Sequence, residues 1–253
     1  MKKVFVCLAM LIAMNLGAQE SSRLSKDSIV VSLQNAFVHI ADGDGWTTEF
    51  TLINLSGTAA PYTLRFFGDD GTPLTLDIAG AGSVTSIAGI MPIFGSTTVQ
   101  TTGGTGLRQG WARLDRNSNT AIGGQAVFKS QAAGRPDFEA SVPIDDAVGN
   151  SFLIAFDNTN GYFTGIALAN VSSSPGTVGL VFRDTLGSPL GTGSIPLAGQ
   201  AHTAILINQS YPLTAGKAGT VRVQATGVSV AGLGLRFNPG GAFTSTSPFN
   251  TAQ

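Results

Sequence analysis

The stretch Asp42-Gly43-Asp44-Gly45 has the residue types and spacing most able to do chemistry. Carboxylates alternating with glycine open many calcium loops, because hard oxygen ligands must converge from a sharply turning backbone. An EF-hand loop also needs a further oxygen ligand and a glutamate at its twelfth position. Counted from Asp42, that position is Ile53. The corresponding stretch further on, Asp157-Asn158-Thr159-Asn160-Gly161, keeps one carboxylate. Both stretches therefore read first as turns, since Asp, Asn and Gly tolerate turn conformations. No cofactor is expected, and Ca²⁺ on Asp42 and Asp44 is the one alternative.

The remaining candidates for catalysis are sparse. His39 and His202 do not occupy equivalent positions, and neither sits in a recognised catalytic motif. No G-x-S-x-G nucleophile elbow occurs. Asp69-Asp70 and Asp145-Asp146 are paired carboxylates in turn-like sequence, where neighbours point apart. The Gly-rich Thr101 to Gly106 run lacks the ending of a phosphate loop. The chain is not expected to be an enzyme, and a secreted hydrolase is the second alternative. Trp46 and Tyr162 recur at one repeat position beside a glycine. They are the candidate carbohydrate platform, set against a role as edge aromatics that cover one end of a core.

The background composition narrows the class. The chain has 253 residues, of which 33 are glycine; 43% are hydrophobic and 11% charged. That is enough apolar material for packed cores and too little charge for a disordered chain. A formal net charge of −1 argues against nucleic-acid binding. Two His and one Cys cannot build a Cys₄ or Cys₂His₂ zinc site.

Residues 1–18 read as a secretory signal. Lys2 and Lys3 precede an apolar run from Val4 to Met14, and Leu16-Gly17-Ala18 offers a small-residue cleavage site. The run is too short to span a bilayer as a helix, so no membrane insertion is expected after cleavage. Cleavage removes Cys7, the only cysteine, and takes the formal net charge to −3. The mature chain must then stand on its hydrophobic cores without disulfides. It is expected to be secreted, extracellular or at the cell surface, with the periplasm as the alternative.

An internal repeat organises the rest. Asp42, Gly45-Trp46, Phe50-Thr51-Leu52, Asn54, Leu64, Phe66, Gly71 and Pro73 return as Asp157, Gly161-Tyr162, Ile166-Ala167-Leu168, Asn170, Leu180, Phe182, Gly187 and Pro189. From Gly45 to Leu74 the offset is constant. Later landmarks pair Pro92 and Gly95 with Pro196 and Gly199. They also pair Gly110, Arg113, Gly123 and Phe128 with Gly219, Arg222, Gly232 and Phe237. The expected organisation is a signal peptide over 1–18, a lead-in over 19–36, a first domain over 37–144, a linker over 145–151 and a second domain over 152–253.

Short runs rich in Thr, Val, Ile, Leu and Phe, punctuated by Gly, Asn, Asp and Pro, predict strands. The fold class is all-β: two tandem β-sandwich, immunoglobulin-like domains related by duplication. Asp69 to Gly71 and Arg116 to Asn119 are expected at hairpin turns. Side-chain alternation turns Phe50, Leu52, Leu64, Phe66, Ala126 and Phe128 inward, with Ile166, Leu168, Leu180, Phe182, Leu235 and Phe237 in the second copy. It leaves Ile53, Phe67, Trp111 and Arg113 on an outer face. Small residues of the second copy, Ala167, Ala169 and Gly179, are expected to receive that face in a domain–domain contact. Asn54 and Asn170 are expected at strand ends, with their amides satisfying nearby backbone.

The runs WTTEFTLINLS, GWARL and IGGQAVF resemble an uncharacterised secreted bacterial repeat, found in tandem, whose units are immunoglobulin-like sandwiches. The second copy departs from it at Thr220 and Leu233. The resemblance implies a fold and carries over no catalytic residue. The expected function is surface adhesion, extracellular structure or protein–protein interaction, with a protein or surface glycan as partner. The first alternative is a carbohydrate-binding module that uses Trp46 and Tyr162.

Overall fold

Short β-rich runs form the strands, and Gly, Asn, Asp and Pro supply many of the turns between them. The structure is a computed structural model that describes residues 33–144 and 149–250. The expected signal peptide, most of the lead-in and part of the linker lie outside the described residues. In the first half the strands are β1 (Leu33–Asp42), β2 (Trp46–Asn54), β3 (Ala60–Gly68), β4 (Leu76–Ile78), β5 (Gly82–Val84), β6 (Ser86–Met91), β7 (Ser96–Gln100), β8 (Arg108–Arg116), β9 (Ile122–Ser130) and β10 (Phe138–Pro143). The second half has β11 (Ser151–Asp157), β12 (Phe163–Asn170), β13 (Gly176–Asp184), β14 (Pro189–Leu197) and β15 (His202–Leu206). A one-turn helix α1 (Ile207–Ser210) and a 3₁₀ turn (Pro212–Thr214) follow, then β16 (Ala218–Thr226), β17 (Val230–Phe237), β18 (Phe243–Thr246) and β19 (Phe249–Asn250). β1 begins four residues before the expected domain start, inside the expected lead-in.

The two halves share one strand order. The first has antiparallel sheets β1-β8-β3-β6 and β10-β9-β2-β7. The second has β14-β13-β16-β11 and β15-β12-β17-β18, with β19 added beside β11. With β1 matched to β11, β2 to β12, β3 to β13, β6 to β14, β7 to β15, β8 to β16, β9 to β17 and β10 to β18, the orders are identical. Residues 116–121 join β8 to β9, which lie in different sheets, so that loop is a sheet-to-sheet connection and not the expected hairpin. Asp69-Asp70-Gly71 is a tight turn, closed by Gly68 N–H on Thr72 O at 2.8 Å.

Inward side chains of paired sheets meet in a β-sandwich-like core. Phe50 of one first-half sheet lies 5.1 Å from Phe37 and 6.0 Å from Phe66 of the other, centroid to centroid. Phe152, Ile154, Ile166, Leu168, Leu180, Phe182, Val221 and Val223 form the second cluster. Each large side chain buried in this way stabilises by roughly 1.5–3 kcal/mol. Asn54 and Asn170 tie strand ends to loops. Their side-chain amides donate to Thr58 O and Pro92 O, and to Ser174 O and Ala198 O, at 2.8–2.9 Å.

Strand pairing corrects the expected repeat register over β9 and β17. Phe50 faces Ala126 and Leu52 faces Gly124; the equivalent Ile166 and Leu168 face Gly234 and Gly232. Gly124 therefore matches Gly232, one residue away from the sequence pairing of Gly123 with Gly232. A one-residue slip moves every side chain to the opposite face. Leu235 and Phe237 accordingly do not enter the second core; they pack against the cluster of the first half. Glycines occupy the core positions because Phe152 already fills the space. A Cβ on Gly232 would lie 2.4 Å from its ring, and one on Gly234 2.9 Å from Ile154.

Candidate functional site at the junction of the halves

One face of the second half completes the apolar cluster of the first. Ala167 and Ala169 of β12, Val171 just after it, Ala231 and Leu233 of β17, and Phe243 of β18 are buried in it. Small residues on β12 let that sheet approach closely, as the sequence suggested for Ala167 and Ala169. Gly179 is on β13, in the other sheet.

Trp111 and Phe67 lie at this junction. Their rings stack at 4.9 Å, and Trp111 is fully buried. Its indole N–H donates to Gln200 O at 2.7 Å. The Arg113 guanidinium lies 5.2 Å from the Phe67 ring centre and pairs with Asp115 at 2.9 Å. Ile53 does not belong with them. It sits on β2, in the sheet opposite β3 and β8, and is 42% exposed. Alternation along single strands assigns a face within a sheet; it does not say which sheet.

The junction also assembles a chain of polar groups that sequence reading missed. Asp69 Oδ1 lies 2.7 Å from His202 Nδ1, and His202 Nε2 lies 3.2 Å from His39 Nδ1. The two imidazole ring centres lie 5.2 Å apart, with their planes 27° from parallel. Burial first, then the neighbouring His202, pushes His39 down to about 3, so its ring is neutral at ordinary pH. Among the described residues, no hydroxyl or thiol is hydrogen-bonded to either imidazole.

A β-bulge places His39 there. β1 pairs with β8 at Phe37 opposite Ala112, then at Ile40 opposite Gly110, so three steps on β1 meet two on β8. In the second half the matching pairs, Ile154 with Val221 and Phe156 with Gly219, run without interruption. The first half thus carries one extra residue in Val38-His39. Bulges re-aim side chains, and this one turns His39 to the second half. The signal was present in the sequence as a change in repeat offset between Phe37 and Ile40, visible only once both copies are aligned on β8 and β16.

Beside His39 the halves line a partly open cavity of about 230 Å³. Its walls include Trp46, Phe128, Leu206, Leu235, Phe237 and Phe243; His39 and Gln109 are polar side chains that reach it. Trp46 leans on Phe243 at 5.4 Å. Tyr162, its repeat partner, carries the Arg236 guanidinium 3.8 Å above its ring. Arg236 is held by Asp157 at 2.7 Å. The Thr159 hydroxyl first, then Arg236, keep the Asp157 carboxyl below the usual carboxylate range. One face of each candidate platform ring is therefore covered by protein.

The Asp42–Gly45 turn uses its acids locally. Asp42 is buried 2.7 Å from Arg108 Nη2 and accepts the Gly103 N–H. Asp44 accepts the N–H groups of Gly106 and Leu107 at 2.8 and 3.0 Å. Arg108 also reaches Asp77, whose carboxyl is held low first by the Ser83 hydroxyl and then by Arg108. A cation at Asp42 would have to displace Arg108. No cluster of three or more His, Cys, Asp or Glu suited to a metal occurs among the described residues.

No protein-family model matches the chain. No curated protein matches it either.

Proposed function

We propose that the chain is an exported, non-enzymatic protein of two tandem immunoglobulin-like sandwich domains, duplicated from one unit, that works by surface contact. Adhesion, extracellular structure and protein–protein recognition all use that mode: rigid sheets hold loops and edges in fixed positions for a partner. One observation carries the reading. Among the described residues eight large apolar side chains are exposed, and Ile53, Leu55, Ile90, Ile93 and Phe94 of them come from the neighbouring segments 53–55 and 90–94 of the first half. Two backbone segments bring them together. Ile53 pairs with Ser96, and the Asn54 N–H donates to Gly95 O at 2.8 Å. Exposed apolar groups gathered in one place mark interaction surfaces more often than scattered ones do.

The test is retention of the purified protein on immobilised extracellular-matrix and cell-surface proteins, in parallel with a glycan array. Binding to a protein surface that is lost in Ile93→Ser/Phe94→Ser, at unchanged melting temperature, supports the reading. Glycan retention that depends on Trp46 would replace it with the carbohydrate-binding alternative.

A further inference from the structure

The cavity between the halves combines apolar walls with the imidazole of His39. His39 and Gln109 are its polar side chains, and Trp46, Phe128, Phe237 and Phe243 supply rings around it. An apolar protein cavity of about 150 Å³ takes up benzene. At about 230 Å³, this one has room for a benzene ring with a short chain.

The polar chain decides what such a molecule must carry. The partner of one ring nitrogen sets the tautomer at the other. With the Asp69 carboxylate at its Nδ1, His202 holds a proton there, and its Nε2 accepts from His39 Nδ1–H. The other nitrogen of His39, Nε2, then offers a lone pair. Its ring meets Phe128 edge-on at 5.3 Å, within the cavity wall. No protein group donates to Nε2 among the described residues. The bulge that places His39 occurs in β1 and has no counterpart in β11.

We propose that this cavity binds a small uncharged apolar molecule bearing one hydrogen-bond donor, of the alkylphenol class, with its O–H donated to Nε2 of His39. The apolar walls supply affinity, and the imidazole supplies orientation and selectivity. A hydrocarbon of the same shape leaves the imidazole acceptor unpaired on binding, which costs affinity. Two tests of the full chain decide the matter.

Calorimetric titration at pH 7.5 compares 4-propylphenol with propylbenzene. The expected result is saturable one-to-one binding, with the phenol at least tenfold tighter. His39→Phe is expected to bring the phenol down to the level of the hydrocarbon, and Ala204→Phe, in the cavity wall, to abolish both. Should the buried substitutions impair folding, the wild-type protein still answers through its imidazole nitrogen spectrum, because it has only two histidines. The phenol is expected to shift the His39 Nε2 resonance more than any other. Absence of saturable binding, equal affinity for phenol and hydrocarbon, or a phenol that leaves Nε2 unmoved overturns the proposal. The outcome is independent of the contact surface around Phe94, which lies elsewhere on the first half.

Discussion

Trp111 Nε1 donates to Gln200 O at 2.7 Å, although 89 positions separate the two residues. Gln200 has a positive φ of 61°, and the residue at the same place in the first half, Phe94, has 53°. The match follows from the anchoring bonds: Asn54 N–H donates to Gly95 O, and Asn170 N–H to Ala201 O. It revises the sequence pairing of Gly95 with Gly199. One loop shape is thus used twice. In the second half it docks on Trp111 and against the turn at Gly71, where a Cβ would lie 2.3 Å from Gly199 O. In the first half it holds Phe94 out, 71% exposed.

Stability should fall with acid through His39. Its folded value of about 3 lies below the ordinary 6.5, so the unfolded chain binds the extra proton between those limits. The contribution is fully present above 6.5 and is lost progressively as pH falls toward 3. From pH 7.5 to 4.5 the loss is about 2–3 kcal/mol. Urea midpoints measured across that range should show the slope in wild type and a shallower one in His39→Phe. Equal slopes in the two proteins would mean that the imidazole charges freely in the folded state.

Gly232→Ala should destabilise by about 1–3 kcal/mol through overpacking against Phe152. Gly179→Ala is the matched control: it also lies in a strand, and its nearest neighbour would be 3.6 Å away. Denaturant unfolding of both compares the two sites. Equal stabilities would place Gly232 away from the core face and restore the sequence register.

Arg108→Met leaves the buried Asp42 carboxylate without its cation and should cost about 3 kcal/mol. Calcium added to wild type should leave the melting temperature unchanged, because Arg108 already occupies the carboxylate. A calcium-dependent rise would show that the turn releases Arg108 to bind the ion.

Much of the architecture was legible because strands have a strict period of two and turns a narrow vocabulary. Alternation turns Phe50, Leu52, Leu64 and Phe66 inward, and all four are buried. Asn54 and Asn170 act as read. The errors share a cause. Leu235 and Phe237 were turned inward because a phenylalanine in each copy was aligned, whereas the pairing aligns glycines that make room for Phe152. At the junction alternation shows Phe67, Trp111, Arg113 and the small residues Ala167 and Ala169, but not the polar chain. Asp69, His202 and His39 come from three separate segments, and a single inserted residue brings the last of them in.

The central claim is that the two halves unfold as one body, because the second half completes the buried cluster of the first. Differential scanning calorimetry of the full chain tests it most directly. Wild type should give one transition with equal calorimetric and van't Hoff enthalpies, and Trp111→Ala, which empties the junction, should split it in two. Two independent transitions in wild type, or a single unchanged transition in Trp111→Ala, would contradict the account.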